Sequence, residues 1–446
     1  MSQKQKTQQM KLNSMKFGMM VLATSLTVGT ISCNRKGCTD PLANNYSEKA
    51  KKDDGNCTYD PVLNGNVVKT GFITANETWT SGNIYELDGK VIVNSGVTLT
   101  IEAGTIIKGA EGTGTLASAL VIAQGGKINS CGTATQPIIF TSVLDNIAVG
   151  ELTGTNLTET DQGLWGGILI MGYAPISSAD GDVLSQIEGI PASESYGAFG
   201  GSDAADNSGT MCYVSIRHGG ALIGSGNEIN GLTLGGVGTG TSISNIEVVS
   251  NLDDGVEFFG GTVNVTNVLV GFQGDDGLDI DMNYSGTVNN FVVINGSNSD
   301  EGLEIDGPEG STYTNGLFTL SNGSVYTFGG TDANGDFKSK AQGTITNVSF
   351  GSAKIRASYQ NVCVDPKDDS FTNLTDVSPT LIFTGSTFSA VDVYTGSDDG
   401  ATPPVDCTVF PADQTAAEGV MISTSATGAD ASGFAAWTWA GLNGKL

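Results

Sequence analysis

Two short motifs recur through residues 243–348 at matching intervals, and this recurrence limits the folds open to the chain more than any other feature. One motif is an acidic pair followed by glycine, which begins at Asp253, Asp275 and Asp300, 22 and 25 residues apart. The other is an asparagine repeated at intervals of 22 to 32 residues, at Asn245, Asn267, Asn290, Asn315 and Asn347. Units this short cannot bury an apolar face alone, but stacked units bury a continuous one. We therefore predict a parallel β-solenoid with the asparagines at its corners.

The composition agrees with an all-β fold built from many short strands. The chain has 63 glycines among 446 residues, and its short apolar runs alternate with Gly, Thr, Ser and Asn instead of following a helical period. From residue 65 onward the length allows about 12–15 coils, each rising ~4.8 Å. We expect the polar stretches 144–162 and 183–210 to leave the solenoid as loops, and Trp437 and Trp439 to cover its open C-terminal end.

Several segments resemble known β-helix and envelope proteins. Residues 132–141, GTATQPIIFT, resemble the GTxxxPIxFT turn and strand of right-handed parallel β-helix proteins. The segments around Trp165, His218 and 227–238 resemble an uncharacterised family of bacterial exported proteins and lipoproteins. The resemblance implies a pectin-lyase-like, right-handed parallel β-helix over residues 65–446, and it implies no established activity.

The N-terminus has the pattern of an export signal. Residues 1–16 carry four lysines and no acid, and residues 17–32 are apolar or small, which is typical of a secretory signal peptide over residues 1–32. The Thr-Ile-Ser-Cys sequence that ends at Cys33 resembles a bacterial lipobox, in which the cysteine is lipidated. The alternative is a simple secretion signal followed by an incidental cysteine. The resemblance implies an outer-membrane protein, lipid-anchored at the cell surface, whose only contact with the membrane is that lipid.

A short cysteine-containing module follows the signal. Residues 37–59 resemble the module GCTDPxAxNYxxxAxxDDGxCxY of exported Bacteroidetes proteins, and we assign residues 33–64 as a tether. Its carboxylates Asp40, Asp53 and Asp54 are oxygen ligands of the kind that calcium prefers. A disulfide-stapled spacer with solvated turns explains the same residues equally well.

The cysteine count favours disulfides over zinc. Without Cys33 six cysteines remain, an even number that allows fifteen connectivities in an exported protein. Local spacing favours the pairs Cys38–Cys57 and Cys363–Cys407. One histidine and no CxxC motif argue against a zinc site.

The sequence argues against nucleic-acid and nucleotide partners. The chain carries 47 acidic and 20 basic residues, a formal charge of −27 at pH 7. Such a surface repels the phosphate backbone, so nucleic acid is not an expected partner. The glycine-rich stretch 235–238 precedes no helix, so it does not predict a nucleotide site.

The acidic repeat is the best candidate for a functional site. Strand alternation points the apolar residues of each repeat inward and the carboxylates outward, where those of successive coils stack. Carboxylates ~5 Å apart repel one another by ~1 kcal/mol even in water, so a bound cation, solvated turns or catalytic acids with raised pKa values remain as alternatives. The candidate calcium ligands are Asp253, Asp254, Glu257, Asp275, Asp276, Asp279, Asp300, Glu301 and Glu304.

These features predict a non-catalytic envelope lipoprotein that binds a glycan or a protein partner, with calcium on its acidic face. One alternative is a polysaccharide lyase or glycoside hydrolase. The paired Asp275 and Asp276 resemble the paired carboxylates of polygalacturonases, and Arg356 is a candidate base, but the single histidine, His218, lies upstream of the pair. A second alternative is a structural accessory subunit of an outer-membrane complex.

Overall fold

The computed structural model describes residues 35–39, 45–56, 65–187, 189–223, 228–328, 335–356, 370–394, 397–398, 405–406, 411–422 and 425–446. The chain divides into two compact units, Met1–Pro61 and Val62–Leu446. Within the described part, no helix is both long and apolar enough to cross a membrane. Residues 1–32 lie outside the described residues, as do these members of the predicted sites: Cys33, Asp40, Cys57, Cys363 and Cys407.

The second unit is built from short strands. Its N-terminal part contains β1 (Asn66–Ile73), β2 (Glu77–Trp79), β3 (Ile84–Val93), β4 (Thr98–Ile101), β5 (Ile106–Gly109), β6 (Ala119–Ile122), β7 (Lys127–Cys131), β8 (Ile138–Ser142) and β9 (Ile168–Met171). Its middle part contains β10 (Leu184–Gln186), β11 (Ala198–Gly200), β12 (Gly209–Arg217), β13 (Leu232–Gly235), β14 (Ser242–Val249), β15 (Val256–Phe259), β16 (Asn264–Gly271), β17 (Leu278–Asp281), β18 (Thr287–Asn295) and β19 (Leu303–Ile305).

Three short helices accompany the last strands. These strands are β20 (Phe318–Thr327), β21 (Asp336–Phe337), β22 (Gly343–Ser349), β23 (Ser352–Arg356), β24 (Leu381–Thr384), β25 (Ala390–Tyr394), β26 (Ser397–Asp398) and β27 (Val405–Asp406). The helices are α1 (Phe371–Thr375), α2 (Pro411–Met421) and α3 (Trp439–Leu442).

Twenty-three of these strands form one continuous sheet that coils on itself. From β12 to β23 each strand pairs in parallel with the strand two places later, so that β13 pairs with β15 and β15 with β17. Inward-facing residues of successive coils join one apolar core, for example Val256, Leu278 and Leu303. This arrangement is a parallel β-helix, and the predicted all-β solenoid is confirmed.

One face of the coil carries the acidic repeat. Among the described residues this face stacks eleven strands, namely β1, β3, β6, β9, β13, β15, β17, β19, β21, β23 and β25. At ~4.8 Å per coil the stack is about 50 Å long. Its eleven strands correspond to fewer coils than the 12–15 that the chain length predicts. The difference arises because residues 143–167 and 172–208 leave the coil, close to the predicted loops, and residues 425–446 do not coil at all.

An asparagine ladder marks one corner of the helix. Asn245, Asn267, Asn290 and Asn347 have φ values between +54° and +59°, and Asn267 Nδ2 donates to Asn245 Oδ1 at 3.1 Å. The prediction for Asn315 is wrong, because Asn322 (φ +55°) holds that corner and accepts a bond from Asn347 Nδ2 at 2.8 Å. The connection before β20 is longer than those before the neighbouring coils, so the corner residue lies seven positions later in the sequence. The average spacing of the asparagines does not predict this shift.

A disulfide joins two coils that are distant in sequence. Cys131 on β7 and Cys212 on β12 face each other across neighbouring strands, with Cα atoms 4.5 Å apart. Both loop insertions lie between them. The cysteine count by itself leaves this pair as one of several possible connectivities. Cys38 is also disulfide-bonded, while the predicted partner Cys57 and the pair Cys363–Cys407 lie outside the described residues.

We expect the double substitution Cys131→Ser with Cys212→Ser to lower the free energy of unfolding by about 2–4 kcal/mol, because it frees an 81-residue loop in the unfolded chain. Urea denaturation under non-reducing conditions measures this loss. Ser244→Ala, which changes the position that pairs with Cys212 on the next strand, is the matched control. An unchanged denaturation midpoint in the double variant would contradict the prediction.

The C-terminal segment packs on the side of the helix. Its backbone follows the asparagine ladder, with Asp430 N 2.7 Å from Asn290 Oδ1. Trp437 and Trp439 then cover an outward-facing apolar patch made by Val249, Leu269, Phe272, Val292 and Ile294. The prediction that these tryptophans cover the C-terminal end is wrong, because they pack on an apolar patch that three successive coils form on the flank.

Helix α2 covers the last described coil instead. Ala417 and Met421 of this helix join the apolar core. The Gln414 side chain satisfies the outer edge of β25 by accepting a hydrogen bond from Val393 N at 3.0 Å and donating to Val391 O. An exposed strand edge is thereby paired within the chain.

Candidate functional site

The acidic repeats align on one face of the helix. Strand register places Glu257 of β15 beside Asp279 of β17, and Asp279 beside Glu304 of β19. The residues that alternate with them, such as Phe258 and Ile280, point into the core. The predicted inward and outward directions of the repeat are therefore confirmed.

A cleft of about 280 Å³ opens above the first two acidic coils. Its floor is acidic, and its walls come from the loop insertion and from the segment that precedes β13. The apolar wall residues are Leu169, Ile187, Ile223, Ile229 and Phe259. The polar and charged residues of the cleft are Glu228, Asn230, Thr233, Asp253, Asp254, Glu257, Asp275 and Asp281. The cleft thus combines a carboxylate floor with an apolar wall.

Five carboxylates of the acidic face form two groups, and all of them except Asp279 line the cleft. Carboxylate oxygens of Asp253, Asp254 and Asp275 all lie within 4.8 Å of one another, and so do those of Asp254, Glu257 and Asp279. Asp254 belongs to both groups. The other predicted ligands Asp276, Asp300, Glu301 and Glu304 lie on the same face but outside both groups.

The donor set suits a hard divalent cation. All of the clustered ligand atoms are carboxylate oxygens, the type that calcium prefers. Asn230, only 6% exposed, donates from Nδ2 to Glu257 Oε2, and its Oδ1 has no hydrogen-bond partner in the described structure. Oδ1 of Asp279 is likewise buried without a partner. Buried oxygens without donors are costly unless a cation or water compensates them, so these residues fit a calcium ion.

Two aspartates of the acidic face also hold the coils in register. Asp254 Oδ1 accepts a hydrogen bond from Asp276 N at 2.9 Å, and Asp276 Oδ1 accepts one from Glu301 N at 2.7 Å. The same geometry therefore repeats from coil to coil. It gives these two side chains a structural role in addition to any role in binding.

Lysines neutralise the third acidic coil. Lys354 Nζ lies 2.8 Å from Glu301 Oε1, and Lys338 pairs with Glu304. Burial lowers the pKa of Lys338, but the carboxylates of Asp306 and Glu304 outweigh that effect and raise it overall, so the lysine stays charged. Among the described residues Asp254, Glu257 and Asp279 form no ion pair with a lysine or arginine.

Burial raises the pKa values of the floor carboxyls, and their neighbours raise them further because like charges repel. The pKa of Asp281 rises to about 8, and those of Glu301 and Asp306 rise to about 7. The pKa values of four further carboxyls are raised well above their usual range: Asp254, Glu257, Asp276 and Asp279. At neutral pH the metal-free floor therefore retains protons.

The other predicted site residues are the tether aspartates, Arg356 and the pair Asp275 and Asp276. Asp53 and Asp54 of the tether are exposed, and their Oδ1 atoms accept hydrogen bonds from Gly55 N and Asn56 N, each at 3.1 Å. Arg356 ends strand β23, and its side chain is not described. Asp275 and Asp276 adjoin the start of β17, with Asp275 facing the cleft.

Asn230 is a site residue that was not predicted, although the sequence carries a signal for it. Residues 230–234, Asn-Gly-Leu-Thr-Leu, precede residues 254–258, Asp-Gly-Val-Glu-Phe, by 24 positions and pair with them in register. Asn230 is therefore the amide counterpart of Asp254 in the preceding unit. The apolar wall had no comparable signal, since Ile187 lies in a loop whose path only the folded chain defines.

A coiled parallel sheet with an acidic cleft on one face defines this protein as a parallel β-helix protein. A family model described as the pectate-lyase-like beta helix domain matches residues 71–440, and the chain belongs to this family. No match is found among curated proteins or among solved structures.

Proposed function

We propose that the protein is a non-catalytic, calcium-binding β-helix of the cell envelope that holds a glycan or a protein ligand in the acidic cleft. The observation that carries this proposal is the pair of carboxylate groups that share Asp254. Of their carboxylates, Asp254, Glu257 and Asp279 form no ion pair among the described residues, whereas Glu301 and Glu304 of the next coil pair with lysines. A divalent cation supplies the missing positive charge.

The site supports binding better than polysaccharide cleavage. Oxygen atoms of Asp254 and Asp276 accept backbone hydrogen bonds, which makes both residues part of the coil stack. His218 is fully buried, with Nδ1 2.7 Å from Asp161 O, so it is not exposed to a polymer. Lys338 and Lys354, the cations paired with this face, are engaged by Glu304 and Glu301. The lyase or hydrolase remains the competing hypothesis for the test below.

The proposed location follows from the sequence. We propose that residues 1–32 are removed as a signal peptide and that lipid on Cys33 anchors the protein in the outer membrane, in the manner of Bacteroidetes lipoproteins. The tether over residues 33–64, with Asp53 and Asp54 as further calcium ligands, would then separate the β-helix from the membrane.

Calorimetry on protein beginning at Asn34 tests the cation. We expect calcium to bind, and Asp254→Asn to weaken binding at least tenfold. Asp88→Asn, which removes one exposed carboxylate on an early coil, is the matched control and leaves binding unchanged. Absence of calcium binding in the unmodified protein would overturn the proposed cation.

An incubation of the same protein with polysaccharides distinguishes glycan binding from glycan cleavage. Acidic and neutral polysaccharides are incubated with it in calcium and in EDTA, and both polymer size and retention are followed. Retention of intact polymer in calcium alone supports a glycan-binding protein. Shortened polymer would overturn the non-catalytic proposal, and calcium-dependent shortening would identify a lyase.

A further inference from the structure

We propose that the cleft floor holds two divalent cations bridged by the carboxylate of Asp254. This inference rests on the proposed function and deepens it. Asp254 is the one residue that both groups share, and within each group the ligand oxygens all lie within 4.8 Å of one another. A carboxylate has two oxygens, so Asp254 can contribute to both ions while its backbone contact with Asp276 N is kept.

The two positions differ in their access to the cleft. The inner position uses Glu257 and Asp279 with Asp254, and both Asp254 and Glu257 are buried. The outer position uses Asp253 and Asp275 with Asp254, and Asp275 is exposed. Calcium takes six to eight oxygen ligands, so an ion at the outer position keeps several sites for water or for oxygens of a ligand. The outer ion is therefore the one that a bound carboxylate or diol would meet.

Charge balance favours two ions over one. The five carboxylates carry five negative charges when ionised, so one divalent ion balances two of these charges and two ions balance four. Repulsion between charges ~4 Å apart costs ~4 kcal/mol near a protein surface. No lysine or arginine in the described structure pairs with Asp254, Glu257 or Asp279. The second ion supplies that charge.

An independent feature points to a ligand at the inner position. Asn230 is more than nine-tenths buried and lines the cleft, and its amide nitrogen donates to Glu257. Its Oδ1 has no partner in the described structure. An amide oxygen at this point is a neutral ligand of the kind that calcium accepts.

The lysines explain why the array stops at two ions. On the following coil Glu301 and Glu304 are paired with Lys354 and Lys338. On the third coil these lysine ammonium groups balance the negative charge, as the proposed cations do on the first two coils. Along the acidic face, bound cations are thus replaced by lysine side chains of the protein itself.

Native mass spectrometry and flow dialysis with calcium count the bound ions in protein beginning at Asn34. We expect two ions associated with the β-helix, after subtraction of any ion lost in an Asp53→Asn, Asp54→Asn tether variant. One ion would overturn the two-ion inference and leave the proposed function standing. No ion would overturn both.

Single substitutions test the bridge. Asp275→Asn is expected to remove only the outer ion and Asp279→Asn only the inner one, while Asp254→Asn weakens both at least tenfold. The asparagine at position 254 keeps an oxygen for Asp276 N, and an unchanged thermal transition in EDTA confirms that the variant folds. Asp88→Asn is the control for lost charge and retains both ions. An Asp254→Asn variant that loses one ion and binds the other normally would overturn the bridge.

Discussion

Replacement of Glu247 by alanine is expected to lower the free energy of unfolding by about 3–5 kcal/mol. The substitution removes the negative charge near the buried guanidinium of Arg217, and it leaves two backbone N–H groups without their acceptor. Glu247 is fully buried on β14. Its carboxylate accepts hydrogen bonds from Trp439 N at 2.7 Å and Ala440 N at 2.9 Å, and from Ser215 Oγ. Ser215 in turn accepts from Arg217 Nε at 2.7 Å. This chain of bonds fastens the C-terminal segment to the side of the helix.

Urea denaturation followed by tryptophan fluorescence measures the effect, since Trp437 and Trp439 lie on this contact. Glu247→Gln keeps an acceptor oxygen and should lose less, about 1–2 kcal/mol. Glu111→Ala, which removes an exposed carboxylate, is the matched control and should be neutral. A Glu247→Ala protein as stable as the control would show that the C-terminal segment is held by its apolar contacts alone.

The metal-free protein is expected to become more stable as the pH falls from 8 to 5. The folded-state pKa values of Asp281, Glu301 and Asp306 are raised to about 8, 7 and 7, above their values in the unfolded chain. The folded state therefore binds more protons across this interval, and its stability is lost as the pH rises through these pKa values. Since one pKa unit corresponds to ~1.4 kcal/mol and several groups contribute, a change on the order of 4 kcal/mol is expected.

Thermal denaturation in EDTA at a series of pH values measures this trend. Saturating calcium should oppose it, because the ion binds the deprotonated carboxylates and stabilises the folded state most at pH 8. Lys338→Met should steepen the trend, since the charge of Lys338 lowers the pKa values of Asp281 and Asp306 and its removal raises them further. A metal-free protein that is less stable at pH 5 than at pH 8 would contradict the raised pKa values of the acidic floor.

Local sequence patterns were sufficient for the repeating part of the molecule. The Asp-Asp-Gly repeat and the alternation around Val256 and Phe258 correctly predicted which side chains enter the core and which carboxylates stack. Such predictions succeed because each coil repeats the preceding one, so that spacing along the chain translates directly into contact between coils. The spacing failed at Asn315, where one coil is longer than its neighbours.

The non-repeating parts depended on contacts between distant segments. The disulfide between Cys131 and Cys212 spans both loop insertions, and nothing in the local spacing of the cysteines distinguishes it. Trp437 and Trp439 were expected at the end of the β-helix, but they pack against the apolar patch around Leu269 on the side of the β-helix. The residues that wall the cleft, such as Ile187, come from an insertion that is brought back over the acidic coils.

The amino-acid sequence by itself determined the coiled parallel sheet, its asparagine corner and the stacked acidic face, because these follow from a short period and from strand alternation. Only the tertiary structure decided that Asp254 would belong to two carboxylate groups, that Asn230 would lie against Glu257, and that lysines would pair with Glu301 and Glu304. Burial and charge pairing depend on which side chains approach one another across coils and insertions. That proximity is a property of the folded chain.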